Sequence, residues 1–253
     1  MIKKIYKRLF SEKFRINIKI QFNKLTSFSY LGNQFYCNCC NKSFRKFLPK
    51  GNVKRENAQC PYCGSLERTR LLLLYLQNET GLFEKKALKL LHFAPERALF
   101  NIFKKLDIEY VDGDINPAYA RNTIDITEIN YPDNYFDSII CSHVLGHVPD
   151  EKKAIKELRR VLKSDGTVLV MTLLNVNIEK TYENSKIIMP KDKLIFYGEP
   201  DLCRLHGLDF GDRLQQQGFA VERIDYREKL SKEIVEKYRL GDGQREIIFK
   251  CTK

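Results

Sequence analysis

Between residues 87 and 173 the apolar residues fall into short runs separated by polar, charged stretches. The runs 87–94, 109–115, 136–142 and 167–172 have strand length without strict apolar–polar alternation, the pattern of strands covered on both faces. A shorter run, 123–126, carries Asp125. A helix is expected from Pro95 to about Leu106. A second runs over 151–162, started by Pro149-Asp150 and closed by a turn at Ser164-Asp165-Gly166. Further on, 209–217 reads as a short helix ended by Gly218, and 219–226 and 246–252 as the last two strands. Strands alternating with helices predict an α/β, doubly wound, mostly parallel sheet. The loop-rich stretch 175–206, with Pro190, Gly198 and Pro200, lies after a strand's carboxyl end, where a lid over a ligand belongs.

The first third of the chain is patterned differently. Ile2, Ile5, Leu9 and Phe10 recur at helical spacing, whereas Phe14, Ile16, Ile18 and Ile20 alternate, so helix and strand both stand open there. The expectation is that the apolar side of this segment packs on the body; a helix lying on a membrane surface is the alternative. Cys37-x-x-Cys40 and Cys60-x-x-Cys63 form two knuckles, Gly64 suiting the second turn. Four thiolates so spaced match a closed tetrahedral zinc site, structural because no coordination position stays open. Cys39, inside the first knuckle, is a substitute ligand. Phe44 and Phe47, among the basic residues between the knuckles, read as the core of a small ribbon; stacking on single-stranded nucleic acid is the alternative. Ser65 then caps a leucine-rich helix. Four regions follow: a basic segment 1–31, a zinc ribbon 32–64, a linking helix 65–84, and an α/β domain 85–253.

The 253 residues hold no run near the ~20 apolar residues of a membrane span. The basic start lacks an apolar core and a small-residue cleavage site, so a cytoplasmic location is expected, with cysteines used for metal rather than disulfides. The net charge of +12 is uneven: residues 1–70 carry 16 Lys/Arg against 3 acids. An acidic partner for that region, RNA, an anionic lipid surface or an anionic substrate, would match it.

The first strand-to-helix turn, Ala94-Pro95-Glu96, lacks the glycines that let backbone cradle a pyrophosphate, which leaves a nucleoside without phosphates as the ligand. Asp114, at the end of the second strand, stands where an acid accepts both ribose hydroxyls. His143, at the end of the 136–142 strand, is the first candidate for a general base, and His206 in the 175–206 stretch the second. Arg204 and Tyr197 are candidates to hold an anionic or sugar acceptor.

DITEINYPDNYFDSIICSHVLGHVPD followed by ELRRVLKSDGTVLV resembles the middle of class I S-adenosylmethionine (SAM)-dependent methyltransferases, a resemblance covering roughly residues 87–253. LHFAPE, the Cys-Gly-Ser-Leu-Glu-Arg segment at 63–68 and FYGEPDLCRLHGLDFGDRL resemble a bacterial subgroup of them with an N-terminal four-cysteine ribbon. The resemblance implies a seven-stranded Rossmann-like sheet and SAM as cofactor. It implies Asp114 on the ribose, Asp125 with the Ile126 backbone at the adenine, Ala94 and Glu96 facing the methionine end, and Ser142 and His143 between donor and acceptor. The implied reaction is methyl transfer to a small molecule, a sugar or glycan intermediate among them. An RNA methyltransferase using the basic ribbon and a non-catalytic relic are the alternatives. The subgroup's His-Val-Leu-Glu-His reads His143-Val144-Leu145-Gly146-His147 here, so its glutamate is absent.

Overall fold

The computed structural model describes residues 10–253, so Ile2, Ile5 and Leu9 lie outside the described residues. Helix α1 (Glu12–Thr26) begins at Ser11, whose hydroxyl accepts the Phe14 N–H. The alternating apolar residues are therefore helical. No residue of α1 is buried; Ile16 and Ile20 are half-buried, while Phe14, Ile18, Phe22 and Leu25 stay exposed. Among the described residues the expected packing of the apolar side on the body is met only in part, by Ile16 and Ile20.

Two antiparallel hairpins follow, β1 (Leu31–Cys37) with β2 (Lys42–Phe44) and β3 (Leu48–Lys50) with β4 (Arg55–Gln59). Phe35, Phe44 and Phe47 bury themselves with Cys37 and Cys60 as a small core, so they offer no stacking surface for bases. Helix α2 (Glu67–Glu79) is entered from Leu66, whose N–H is accepted by the Thr69 hydroxyl; Ser65, the expected cap, bonds to cysteine sulfur instead. Leu71, Leu72, Leu73 and Leu76 bury one side of α2 against sheet residues such as Leu90, Ile140 and Ile248.

Arg70 on α2 is fully buried. Its guanidinium donates to the carbonyls of Ser65 (2.8 Å), Ala58 (3.1 Å), Tyr238 (2.6 Å) and Arg239 (2.7 Å), and lies over the Phe47 ring. Ribbon, helix and a segment some 170 residues later in the chain thus share one cation.

The main sheet has seven strands: β5 (Lys89–Phe93), β6 (Glu109–Asp114), β7 (Asn122–Thr123), β8 (Phe136–Ser142), β9 (Leu162–Met171), β10 (Ala220–Ile224) and β11 (Ile248–Thr252). Their order is β10-β11-β9-β8-β5-β6-β7, parallel except for the two pairings that β11 makes. This is a doubly wound, Rossmann-like α/β fold. Helix α3 (Arg97–Phe103) joins α2 on one face. On the other, α4 (Glu151–Val161) and α6 (Phe210–Gln215) bury Ile155, Leu158, Phe210 and Leu214 against Leu91, Ile139, Val168 and Phe249. Helix α5 (Pro190–Tyr197) arises where the sequence pattern indicated only loop, and α7 (Lys232–Tyr238) lies between the last two strands. Two local expectations change. Ser164-Asp165-Gly166 is an irregularity inside β9, where the register jumps from Phe136↔Leu162 to Ser138↔Thr167, because α4 ends directly into the strand. Asp125 lies past β7 in a tight turn bridged to Glu128, not in a strand.

Replacing Arg70 by methionine keeps the volume but strands four carbonyls. Each buried orphan costs about 1–3 kcal/mol, so the urea unfolding midpoint should fall by the equivalent of at least about 3 kcal/mol. An unchanged midpoint would show that water replaces the guanidinium.

Candidate functional site

The chain order reverses between β5 and β8, whose neighbours lead to opposite edges of the sheet. At such a switch point the loops after adjacent strands part and leave a crevice. Both residues that leave these two strands take the left-handed backbone, Ala94 with φ 45° after β5 and His143 with φ 57° after β8. Neither is glycine, and such conformations are held only where the surroundings over-determine them. The Ala94 N–H is bonded to the Gly113 carbonyl at 2.9 Å, and the His143 N–H to the Met171 carbonyl at 2.7 Å. The turn without glycine therefore still makes the bend that glycine usually makes.

Glu96 is what fixes it. Its carboxylate accepts from His92 Nε2 (3.3 Å) and Ser142 Oγ (3.2 Å) and pairs with Arg68 Nε (3.4 Å). His92 is buried and bonds through Nδ1 to the Tyr110 hydroxyl at 3.1 Å. Burial pushes the Glu96 carboxyl pKa upward, but the His92 bond and the Arg68 charge outweigh it and hold the pKa below its ordinary value. Glu96 and Ser142 thus clamp the ends of β5 and β8 together and do not themselves line the main cavity.

That cavity measures about 580 Å³ and opens at the carboxyl ends of β5, β6 and β8. Ala94, Asp114, Asp125, Ile126 and His143, all expected from the sequence, line it. Asp114 accepts the Asn116 N–H through Oδ1 at 2.8 Å; partial burial raises its pKa, and no cation pairs with it among the described residues. Such a carboxylate suits neutral donors, such as a pair of hydroxyls. Asp125 Oδ1 accepts both the N–H and the hydroxyl of Thr127, each at 2.8 Å, and the side chain is exposed. The cavity also takes Tyr119, Thr127, His147 and Asp201, none of which a pattern of apolar runs could single out.

His143 also lines a smaller polar cavity of about 120 Å³ with Arg68, Thr172, Glu199 and Arg245. Its Nε2 lies 3.0 Å from the Arg245 carbonyl, which can only accept, so Nε2 carries the proton. Desolvation, and then the Arg68 charge, push its pKa well below the ordinary value. The ring is neutral and its Nδ1 lone pair is the basic one. Arg68 was within a motif segment quoted from the sequence, but Arg245 carried no signal.

Three other expected residues have different places. His206 is buried, with Nδ1 2.8 Å from the Thr172 hydroxyl and Nε2 2.6 Å from Glu151, so both nitrogens are engaged away from the cavity. Arg204 donates to the Leu145, Val148 and Pro149 carbonyls and to Glu183. Tyr197 is buried and bonds to the Asn184 backbone. These side chains knit the 175–206 segment to the domain and are not free for an acceptor. Gly146 belongs to the same packing: a Cβ there would come within 2.8 Å of Leu202, and its carbonyl accepts the Cys203 N–H. A side chain at 146 would press on Leu202 of this segment.

The four knuckle cysteines bring their sulfurs together within 4.8 Å, with Cys37–Cys63 at 3.6 Å and Cys40–Cys60 at 3.8 Å. Four sulfurs about 2.3 Å from a central zinc stand about 3.8 Å apart, so the donor set fits that ion. Cys39 is outside the cluster and its sulfur lies near the Asn38 side chain.

Residues 95–170 match the family model described as a methyltransferase domain. Ubiquinone/menaquinone biosynthesis C-methyltransferase UbiE of Vibrio cholerae is 36% identical over 81 residues, 30% of this chain and 31% of that protein. The uncharacterized methyltransferase YcgJ of Bacillus subtilis is 44% identical over 56 residues, 22% of this chain and 21% of its own length. The chain thus spans about a third or less of the length of these relatives. Among solved structures, the [4+2]-cyclase SpnF superposes over 96% of this chain and 97% of its own with a TM-score of 0.52 at 13% identity, a likeness of fold.

The lowered pKa values of His143 and His206 make stability depend on pH. Desolvation makes both rings hold a proton less readily in the fold than in the unfolded chain, where histidine titrates near ~6.5. The unfolded chain therefore binds more protons below that pH. Stability should be full above about pH 7 and fall as pH drops below ~6.5, by up to about 1.4 kcal/mol per pH unit for each ring. Urea midpoints measured from pH 8 down to 5 check this; a flat profile would mean that the rings charge freely in the fold.

Proposed function

We propose that the chain is a SAM-dependent methyltransferase that acts on a small-molecule acceptor and carries a structural zinc. The observation behind it is the cavity at the switch point, which Asp114, Asp125 and His143 all line. Asp114 accepts from the ribose hydroxyls, and Asp125 with the Ile126 backbone meets the adenine edge. Ala94 lets backbone approach the methionine end, while Glu96 and Ser142 act through the turn they hold. SAM, when bound, supplies a methyl group already activated on its sulfonium. The protein's own work is alignment and exclusion of water. His143, neutral with its Nδ1 lone pair unprotonated, takes the proton that the acceptor atom loses. The acceptor is read as a small molecule because its space is compact and bordered by the 175–206 segment. The short match to a quinone-biosynthesis C-methyltransferase favours an aromatic ring as that molecule.

Zinc is assigned to Cys37, Cys40, Cys60 and Cys63. The Ser65 hydroxyl, 3.2 Å from Cys37 sulfur and 3.3 Å from Cys63 sulfur, orients two of the four ligands.

Calorimetry with SAM should give one binding site, and Asp114→Ala should weaken it at least about tenfold by removing two charge-assisted hydrogen bonds. No heat at millimolar SAM would refute the enzyme reading. With an acceptor found by methyl-label transfer to a panel of phenols and quinols, His143→Gln should lower kcat while SAM affinity holds. Elemental analysis should find about one zinc per chain, absent in Cys60→Ser.

A further inference from the structure

We infer that α1 is a docking helix for an anionic lipid bilayer, and that it seats the mouth of the main cavity at the membrane surface. Phe14, Ile18, Phe22 and Leu25 are 46%, 43%, 63% and 71% exposed. At 100° per residue they fall within an arc of roughly 80°, a continuous apolar stripe facing away from the body. Phe28, 71% exposed, continues it past the helix end. A monomeric surface rarely carries this many large apolar side chains side by side without a partner.

Charge decides the kind of partner. Lys13, Arg15, Lys19 and Lys24 accompany the stripe, and the sequence ahead of it adds Lys3, Lys4, Lys7 and Arg8. The one acid of α1, Glu12, bonds to the Asn116 amide (3.2 Å) and the Tyr119 hydroxyl (2.9 Å). An apolar stripe on a convex helix, edged by lysines and arginines, matches acyl chains beneath anionic headgroups.

The placement gives the docking its consequence. Tyr119, held by Glu12, lines the main cavity, so α1 sits at the rim. On another side, α5 exposes Ile195 and Phe196, and the chain after its Gly198 cap reaches Asp201, which also lines the cavity. A bilayer against α1 therefore brings the opening to the headgroup level, where an amphiphilic acceptor resides. Docking itself stands without the methyl-transfer reading; only this choice of acceptor rests on it.

The test is cosedimentation of the full chain with large vesicles, one set pure phosphatidylcholine and one about one third phosphatidylglycerol. The chain should pellet with the anionic set and bind the neutral set at least about tenfold more weakly. Phe22→Ser with Leu25→Ser should lower anionic-vesicle affinity at least about tenfold, with helix content and SAM affinity unchanged, because both side chains are exposed. Failure to bind anionic vesicles, or binding that the double variant leaves intact, overturns the proposal. A dimer in sedimentation that the double variant dissolves, without vesicle binding, also overturns it and gives the stripe to a second copy. SAM calorimetry on the same samples separates loss of docking from loss of the cofactor site.

Discussion

The buried guanidinium of Arg70 is the contact on which the relation between ribbon and sheet depends. A charge inside a protein is tolerated only where its donors are met, and here they meet four carbonyls and an aromatic face rather than a carboxylate. Carbonyl oxygens are fixed by backbone, so this contact specifies geometry more tightly than an ion pair between flexible side chains. Two carbonyls come from the ribbon side and two from the end of α7. The zinc reading fits the same logic. Ser65 gives its hydroxyl to the cysteine cluster and its carbonyl to Arg70, so the cluster and the cation hold one residue from both sides.

The site is built on a second constraint, the two left-handed residues that end β5 and β8. Ala94 and His143 bend because Glu96 gathers His92, Ser142 and Arg68 between the strands. Arg68 stands two residues before Arg70 on α2, so the helix that anchors the ribbon also tunes the strand ends. His143 is desolvated and faces that same cation. Helix α2 thereby acts on the site through electrostatics.

Much of this could be read in the sequence. The strands, α4, the paired knuckles and the acid at 114 follow from runs, spacing and position along a strand, all local properties, whereas Asp125 was singled out by family resemblance and sits in a turn. What could not be read depends on distant partners. His206 looked like a free base until Glu151 and Thr172 closed on it, and Arg204 like a ligand until three carbonyls claimed it. Ala94 could not announce a glycine's conformation, since propensity argues against it. Gly146 read as the loss of the subgroup's glutamate, and its close approach to Leu202, from a segment about fifty residues away, could not be read. For α1, periodicity gave an apolar side but not which way it faced.

The sheet order carries a consequence for how the chain is made. Strand β11 is synthesised after the other ten, yet lies between β9 and β10, pairing with both. During synthesis, at about 5–20 residues per second, the edge of β9 with Val168 and Val170 is uncovered for the several seconds needed to reach Ile248. A flat apolar edge of that kind is a template for pairing with other nascent chains. The protein is thus most exposed to misassembly on the ribosome, and a chaperone that covers β9 until β11 arrives would raise its folded yield more than any gain in the stability of the finished sheet.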